Sequence, residues 1–232
     1  MITKFAVKNY RGFADRIEWD LSHPSSYSFN TLAIKDGIVK NGIIYGPNGS
    51  GKSNLALAVF DIILHLTQKA KNPHQFEAII NALHPNDFVS FEYTFRFGTN
   101  IVDYYYSKSI YGIESEKVVL DGNVVFALDN NNLTIESLEF PMTEENKKQL
   151  ANSSNKVSVL GYLWSVYPFN SDHPLMKMKE FVEGMLLFWN HEERGFAGLD
   201  EGTTFIEEYI IANDLVDDFS DFLKSVSGQE FK

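Results

Sequence analysis

Cysteine is absent from the 232 residues, which excludes a disulfide framework and any thiolate metal site. Long hydrophobic runs are absent too: no apolar stretch reaches the roughly 18 to 20 residues that a membrane-spanning helix needs. The nearest, Leu55 to Leu66, is short and carries Asp61 within it. The opening Met1-Ile2-Thr3-Lys4 lacks the apolar stretch of a secretory signal. Positive charge is scarce, with 20 Lys and Arg against 31 Asp and Glu and a net charge of −11. That balance argues against a chain that coats nucleic acid over its whole surface. The expectation is a soluble, cytoplasmic protein with no membrane contact. Wholesale disorder is excluded in turn, because 44% hydrophobic and 14% aromatic residues suffice for a sizeable core.

Charge is unevenly spread. Residues 1–70 hold eight Lys and Arg against five Asp and Glu, whereas residues 192–221 hold ten acidic residues opposed only by Arg194. That acidic stretch reads as a solvated helix face or as a surface that meets a basic partner.

Hydrophobic periodicity divides the chain. Ile2 to Lys8 reads as a short strand, with a turn at Asn9-Tyr10-Arg11-Gly12. Ile17, Trp19 and Leu21 alternate with charged neighbours, the period-two pattern of a half-buried strand. Thr31 to Ile34 is a candidate third strand, and Asn41 to Tyr45 reads as a brief apolar strand ending in a glycine-rich loop. From Asn54 to Lys71 the apolar residues fall at a helical period. Phe88 to Phe97 alternates again, and Asp121-Gly122-Asn123 between two apolar runs is a strong hairpin signal, so about 88–140 reads as an antiparallel β insert. Asp129 to Asn132 and the polar stretch 143–156 read as loop or linker. Helical periodicity resumes from about 157, over Leu175 to Trp189, Phe205 to Ile211 and Leu215 to Val226.

One motif dominates: Gly46-Pro47-Asn48-Gly49-Ser50-Gly51-Lys52-Ser53, a full match to G-x-x-x-x-G-K-[ST]. Glycines open backbone dihedrals closed to other residues, so successive N–H groups can converge on phosphate oxygens. Lys52 supplies a point charge to β and γ phosphates, and the Ser53 hydroxyl suits one position of octahedral Mg2+. A helix N-terminus follows, whose unpaired N–H groups and positive dipole end favour polyphosphate. A random chain of this length matches the pattern on the order of once in a hundred.

Gly46 to Ser53 followed by Asn54, together with the upstream Lys8-Asn9-Tyr10-Arg11-Gly12-Phe13, resembles the ABC-type ATPase heads of the SMC, RecF and OLD-nuclease superfamily. The likeness is nearest to the bacterial stand-alone AAA-family ATPases of anti-phage defence. It implies an α/β fold: the first lobe of a P-loop NTPase head of ABC type, an antiparallel β subdomain, then a helical region. The implied division is 1–87 for the N-terminal strands, phosphate loop and first helix, 88–140 for the β subdomain and 141–232 for linker and helices. ATP and Mg2+ are the implied cofactors. Gly46, Asn48, Gly49, Ser50, Gly51, Lys52, Ser53 and Asn54 would bind them, with Lys52 catalytic, Ser53 the metal ligand and Asn48 near the γ phosphate. By the same likeness Arg11 contacts the nucleotide; by its residues alone it reads equally as a surface charge at a turn. The likeness further implies a homodimer or higher oligomer and a protein effector, such as a nuclease or toxin.

Other parts of such a head are missing. Leu199-Asp200-Glu201 mimics a Walker B end, but Arg194 to Gly198 before it is no buried strand. Ser227-Gly228-Gln229-Glu230 only echoes a signature loop, and Gln149 lies in a poor setting for a Q-loop. The chain therefore reads as a first lobe alone. The six histidines show no recognised metal spacing, and no G-x-S-x-G nucleophile elbow exists. Tyr104-Tyr105-Tyr106 offers either base stacking or ordinary β packing. Three functions stay open: an ATPase that controls an effector, a nucleotide-gated scaffold with little hydrolysis, and a DNA-binding repair ATPase that no basic stripe supports.

Overall fold

A computed structural model describes residues 1–25, 31–67, 79–137, 139–153, 157–188, 196–197 and 210–228. The chain falls into two compact units, Met1–Leu187 and Phe188–Lys232.

The first unit is mixed α/β, built on one seven-stranded antiparallel sheet. Its strands are β1 (Ile2–Lys8), β2 (Ile17–Asp20), β5 (Val89–Phe97), β6 (Asn100–Ser109), β7 (Gly112–Leu120), β8 (Asn123–Asp129) and β9 (Asn132–Ile135). The spatial order is β2-β1-β5-β6-β7-β8-β9. Two short strands, β3 (Ile34–Lys35) and β4 (Ile38–Val39), pair apart from it. Strands from before and after the phosphate loop thus share one sheet, because β1 pairs with β5 from Ile2↔Phe95 to Lys8↔Ser90.

Period-two burial explains the sheet. Val89, Phe91, Tyr93 and Phe95 are buried along β5, with Phe5 and Val7 beside them on β1 and Tyr104 and Tyr106 on β6. Their rings interlock: Phe5 lies 4.9 Å from Tyr93 and Phe91 4.7 Å from Tyr106, centroid to centroid. Aromatic side chains of this size dominate core energetics. The opposite face is polar. Arg16 bridges Glu18 and Glu92 there, and Lys4 bridges Glu18 and Asp20. Such exposed pairs are screened by solvent and contribute little to stability. Of the tyrosine run, Tyr104 and Tyr106 are core residues and only Tyr105 turns outward, so β packing accounts for it.

Helix α1 (Lys52–Thr67) covers the apolar face. Tyr93 fixes it by donating its hydroxyl towards the carbonyls of Ala58 and Val59, at 3.0 and 3.2 Å. Helices α2 (Glu144–Ser153), α3 (Val159–Val166) and α4 (Pro174–Glu183) also belong to the unit, and α1 packs against α3 and α4. In the second unit, α5 (Val216–Ser227) begins with Asp217 and Asp218, which suit the helix dipole, and ends at Gly228 with φ of 70°.

Four expectations are corrected. Asn41 to Tyr45 forms no strand: it is exposed, with Ile43 and Tyr45 each at 91%. An apolar run becomes a strand only when neighbours pair its backbone. The polar stretch 143–156 is largely helix, with Thr143 accepting from the Asn146 N–H at the start and Leu150 and Ala151 buried. Asp129 to Asn132 is a hairpin turn rather than open loop, since Asn130 and Asn131 take φ of 45° and 64° and lead into β9. Of Thr31 to Ile34, Thr31 to Ala33 is a 3-10 turn and only Ile34 enters a strand, β3. Residues Leu199 to Thr204, Phe205 to Tyr209, His191, Gln229 and Glu230, and most of the acidic stretch, lie outside the described residues.

Candidate phosphate-loop site

The site is assembled from two segments nearly forty residues apart in sequence. The first is the turn after β1. Asn9 and Arg11 adopt left-handed backbone, with φ of 58° and 47°, which asparagine tolerates and arginine rarely adopts. Surrounding bonds hold that conformation. Tyr10 and Phe13 exchange backbone hydrogen bonds of 2.9 and 2.8 Å, and the Arg11 N–H donates to the Ile79 carbonyl at 2.7 Å. Asn81 donates its side-chain amide to the Arg11 carbonyl. The buried Asn9 amide donates towards three carbonyls, those of His84, Asp87 and Phe88, at 3.1 to 3.4 Å. Buried Tyr10 packs edge-on to Phe91 at 5.7 Å, and burial, reinforced by the Asp61 charge, pushes its phenol well above the usual range.

The second segment is the loop. Residues 41–50 are exposed throughout. Gly49 and Gly51 take φ of 81° and 93°, the dihedrals for which the motif requires glycine. Lys52 opens α1 and folds back, its Nζ donating to the Gly46 and Pro47 carbonyls at 2.7 and 2.8 Å. Ser53 is exposed on the first turn and Asn54 is half-buried.

The two segments touch. A side chain on Gly51 would lie 2.7 Å from Cε1 and 2.8 Å from Cζ of Phe13, so the Phe13 ring occupies the space a side chain would need. A side chain on Gly12 would come within 3.3 Å of Asn54 Nδ2. The turn that carries Arg11 is therefore packed on the loop that carries Lys52. Among the described residues neither cation has a carboxylate partner, and the buried Arg11 Nε has no hydrogen-bond acceptor. Lys52 on the exposed, glycine-rich loop fits an anion, while the Arg11 guanidinium lies 5.6 Å over the Tyr10 ring on the adjoining turn. Asn48, Gly49, Ser50 and Ser53 sit around that loop, facing solvent. A cleft of about 640 Å³ borders the turn, with Lys8, Asn9, Asp15, His84, Asp87 and Phe88 in its wall.

Behind the loop, α1 is anchored by a buried polar cluster that the sequence reading did not identify. Asp61 Oδ2 accepts from Lys108 Nζ at 2.5 Å and from the Tyr106 hydroxyl at 2.8 Å. One turn on, His65 stacks on Tyr106 at 3.9 Å, with neither ring nitrogen hydrogen-bonded among the described residues. Burial, and secondarily the Lys108 charge, holds its pKa well below the ordinary histidine value. Glu116 Oε1 lies 4.0 Å from His65 Nε2 and accepts from the Tyr104 and Ser158 hydroxyls and the Leu160 N–H, while Oε2 accepts from the Val159 N–H. Burial pushes the Glu116 carboxyl up, against the pull of those donors. Asp61 interrupting an apolar helix was the one sequence signal of this cluster.

Among the described residues no three His, Cys, Asp or Glu side chains group to hold a metal, and no helix is long and apolar enough to cross a membrane. The chain matches no protein-family model, and no curated protein matches it.

Proposed function

We propose that this chain is the ATP-binding part of an ABC-type ATPase, a P-loop head that couples Mg-ATP binding and hydrolysis to dimerisation and control of a partner effector in bacterial anti-phage defence. The observation that carries the reading is the meeting of its two motifs: the Asn9–Phe13 turn packs on the Gly46–Ser53 loop, and each brings a cation with no carboxylate partner among the described residues. Loop N–H groups, Lys52 and Arg11 would hold the polyphosphate, and the α1 dipole adds a favourable field. Ser53 is exposed on the first turn of α1, where its hydroxyl is free to meet Mg2+. Bound Mg-ATP supplies a phosphoanhydride whose cleavage is helped chiefly by positioning and charge stabilisation.

Titration calorimetry on the full chain tests the reading. Wild type should bind MgATP. Lys52→Ala should bind at least about tenfold more weakly, since it removes a charge-assisted contact of roughly 1.5–3 kcal/mol. Equal affinities in the two proteins would remove the loop as the site.

A further inference from the structure

The Phe13 ring is placed where it can shape the loop it touches. Any residue other than glycine at position 51 would collide with Cε1 and Cζ of that ring, and Gly51 itself is at φ of 93°. Glycine gives a loop freedom as well as reach, and an unsupported glycine loop samples many backbone states. A wall against Gly51 removes part of that freedom before any ligand arrives. Phe13 in turn is fixed: its backbone exchanges two hydrogen bonds with Tyr10, and Tyr10 is buried against Phe91. A continuous line of contact therefore runs from the sheet core through Tyr10 and Phe13 to Gly51, one residue before Lys52. Gly12 and Asn54 make a second contact in parallel.

We infer that Phe13 is a positioning residue for the anion site: its ring sets the conformation of Gly51 and so pre-organises the loop for the phosphates. The inference rests on the nucleotide reading for its ligand, but not for its geometry. Pre-organisation raises affinity by lowering the ordering that binding must impose. Phe13 is only half-buried, so its truncation leaves the sheet core in place.

The experiment uses the full chain and three proteins: wild type, Phe13→Ala and Phe13→Leu. Phe13→Ala should lose about tenfold or more in affinity for MgATP and for inorganic triphosphate alike, a loss typical of misplaced binding groups. Phe13→Leu, which restores a wall of apolar atoms, should recover most of it. Nitrogen-15 relaxation of the Gly49 and Gly51 amides gives a readout that needs no nucleotide: in Phe13→Ala these amides should become more mobile, with amides of the strand pairing Phe5↔Tyr93 unchanged. If wild type binds neither probe yet the Gly51 amide is loosened, the nucleotide reading fails and the positioning role stands. Unchanged affinity together with unchanged Gly51 relaxation in Phe13→Ala would overturn the role itself.

Discussion

His65 occupies a position that ought to be costly: it is 5% exposed, and neither ring nitrogen has a hydrogen-bond partner among the described residues. What holds it is stacking on Tyr106, and its burial disfavours the charged form. The consequence is a pH dependence with a definite sign. In the unfolded chain a histidine takes up a proton near pH 6.5. In the folded chain His65 stays neutral until well below that, so unfolding binds a proton as the pH falls. Stability contributed by the neutral ring is complete above about pH 6.5 and declines below it, by up to about 1.4 kcal/mol per pH unit. Glu116 acts oppositely: burial raises its folded pKa, so the fold gains as the pH falls through that raised value towards the unfolded one. Within pH 7 to 5.5 the histidine's share is the difference that removing its ring makes. Urea denaturation across that interval should show wild type losing stability towards acid and His65→Leu losing much less. Parallel curves for the two proteins would contradict the assignment.

At the scale of elements, α3 is the clearest case of a helix held by something outside itself. Its first turn is capped twice, by Ser158 accepting from the Gly161 N–H and by Glu116 from the sheet accepting from the Val159 and Leu160 N–H groups. A buried carboxylate at a helix N-terminus suits both the dipole and the unpaired donors of the first turn. Glu116→Leu keeps the approximate volume but leaves those donors and two hydroxyls without an acceptor. It should cost about 3–5 kcal/mol by chemical denaturation, the magnitude of breaking a buried polar network. A loss under about 1 kcal/mol would mean that water replaces the carboxylate.

The same scale shows what the sequence made legible. The hairpins of the sheet were readable because their turns are local: Asp121 and Gly122 both take positive φ, as the Asp-Gly pair announces, and the alternation from Phe91 onward fixes which face is buried. Helix α2 was not readable, because its mean composition is polar and only Leu150 and Ala151 face the core. The loop and the upstream turn were each visible as motifs. Their contact through Phe13 and Gly51 was not, since nothing local in either segment encodes the other. The cluster of Asp61, His65, Lys108 and Glu116 joins a helix to two strands that follow it at long sequence distance, and single residues so spaced carry no period.

For the whole molecule, the segment leading into the phosphate loop stands out. Ile43 and Tyr45 are 91% exposed and Ile44 44%, an apolar run that no strand pairs among the described residues. Unpaired backbone beside exposed apolar side chains is a template for another strand. Its position is telling, because whatever pairs there would lie directly against the residues that enter Gly46. Under the proposed function, a strand supplied by a second copy or by a partner protein would order the loop from its N-terminal end. The prediction is that the chain self-associates as its concentration rises and that Ile43→Lys with Tyr45→Lys suppresses this, as seen by light scattering. Because both side chains already face solvent, the double variant should unfold within about 0.5 kcal/mol of wild type per substitution. Wild type that stays monomeric at every concentration, or a double variant that associates equally, would show that this segment is not the edge that other chains seek.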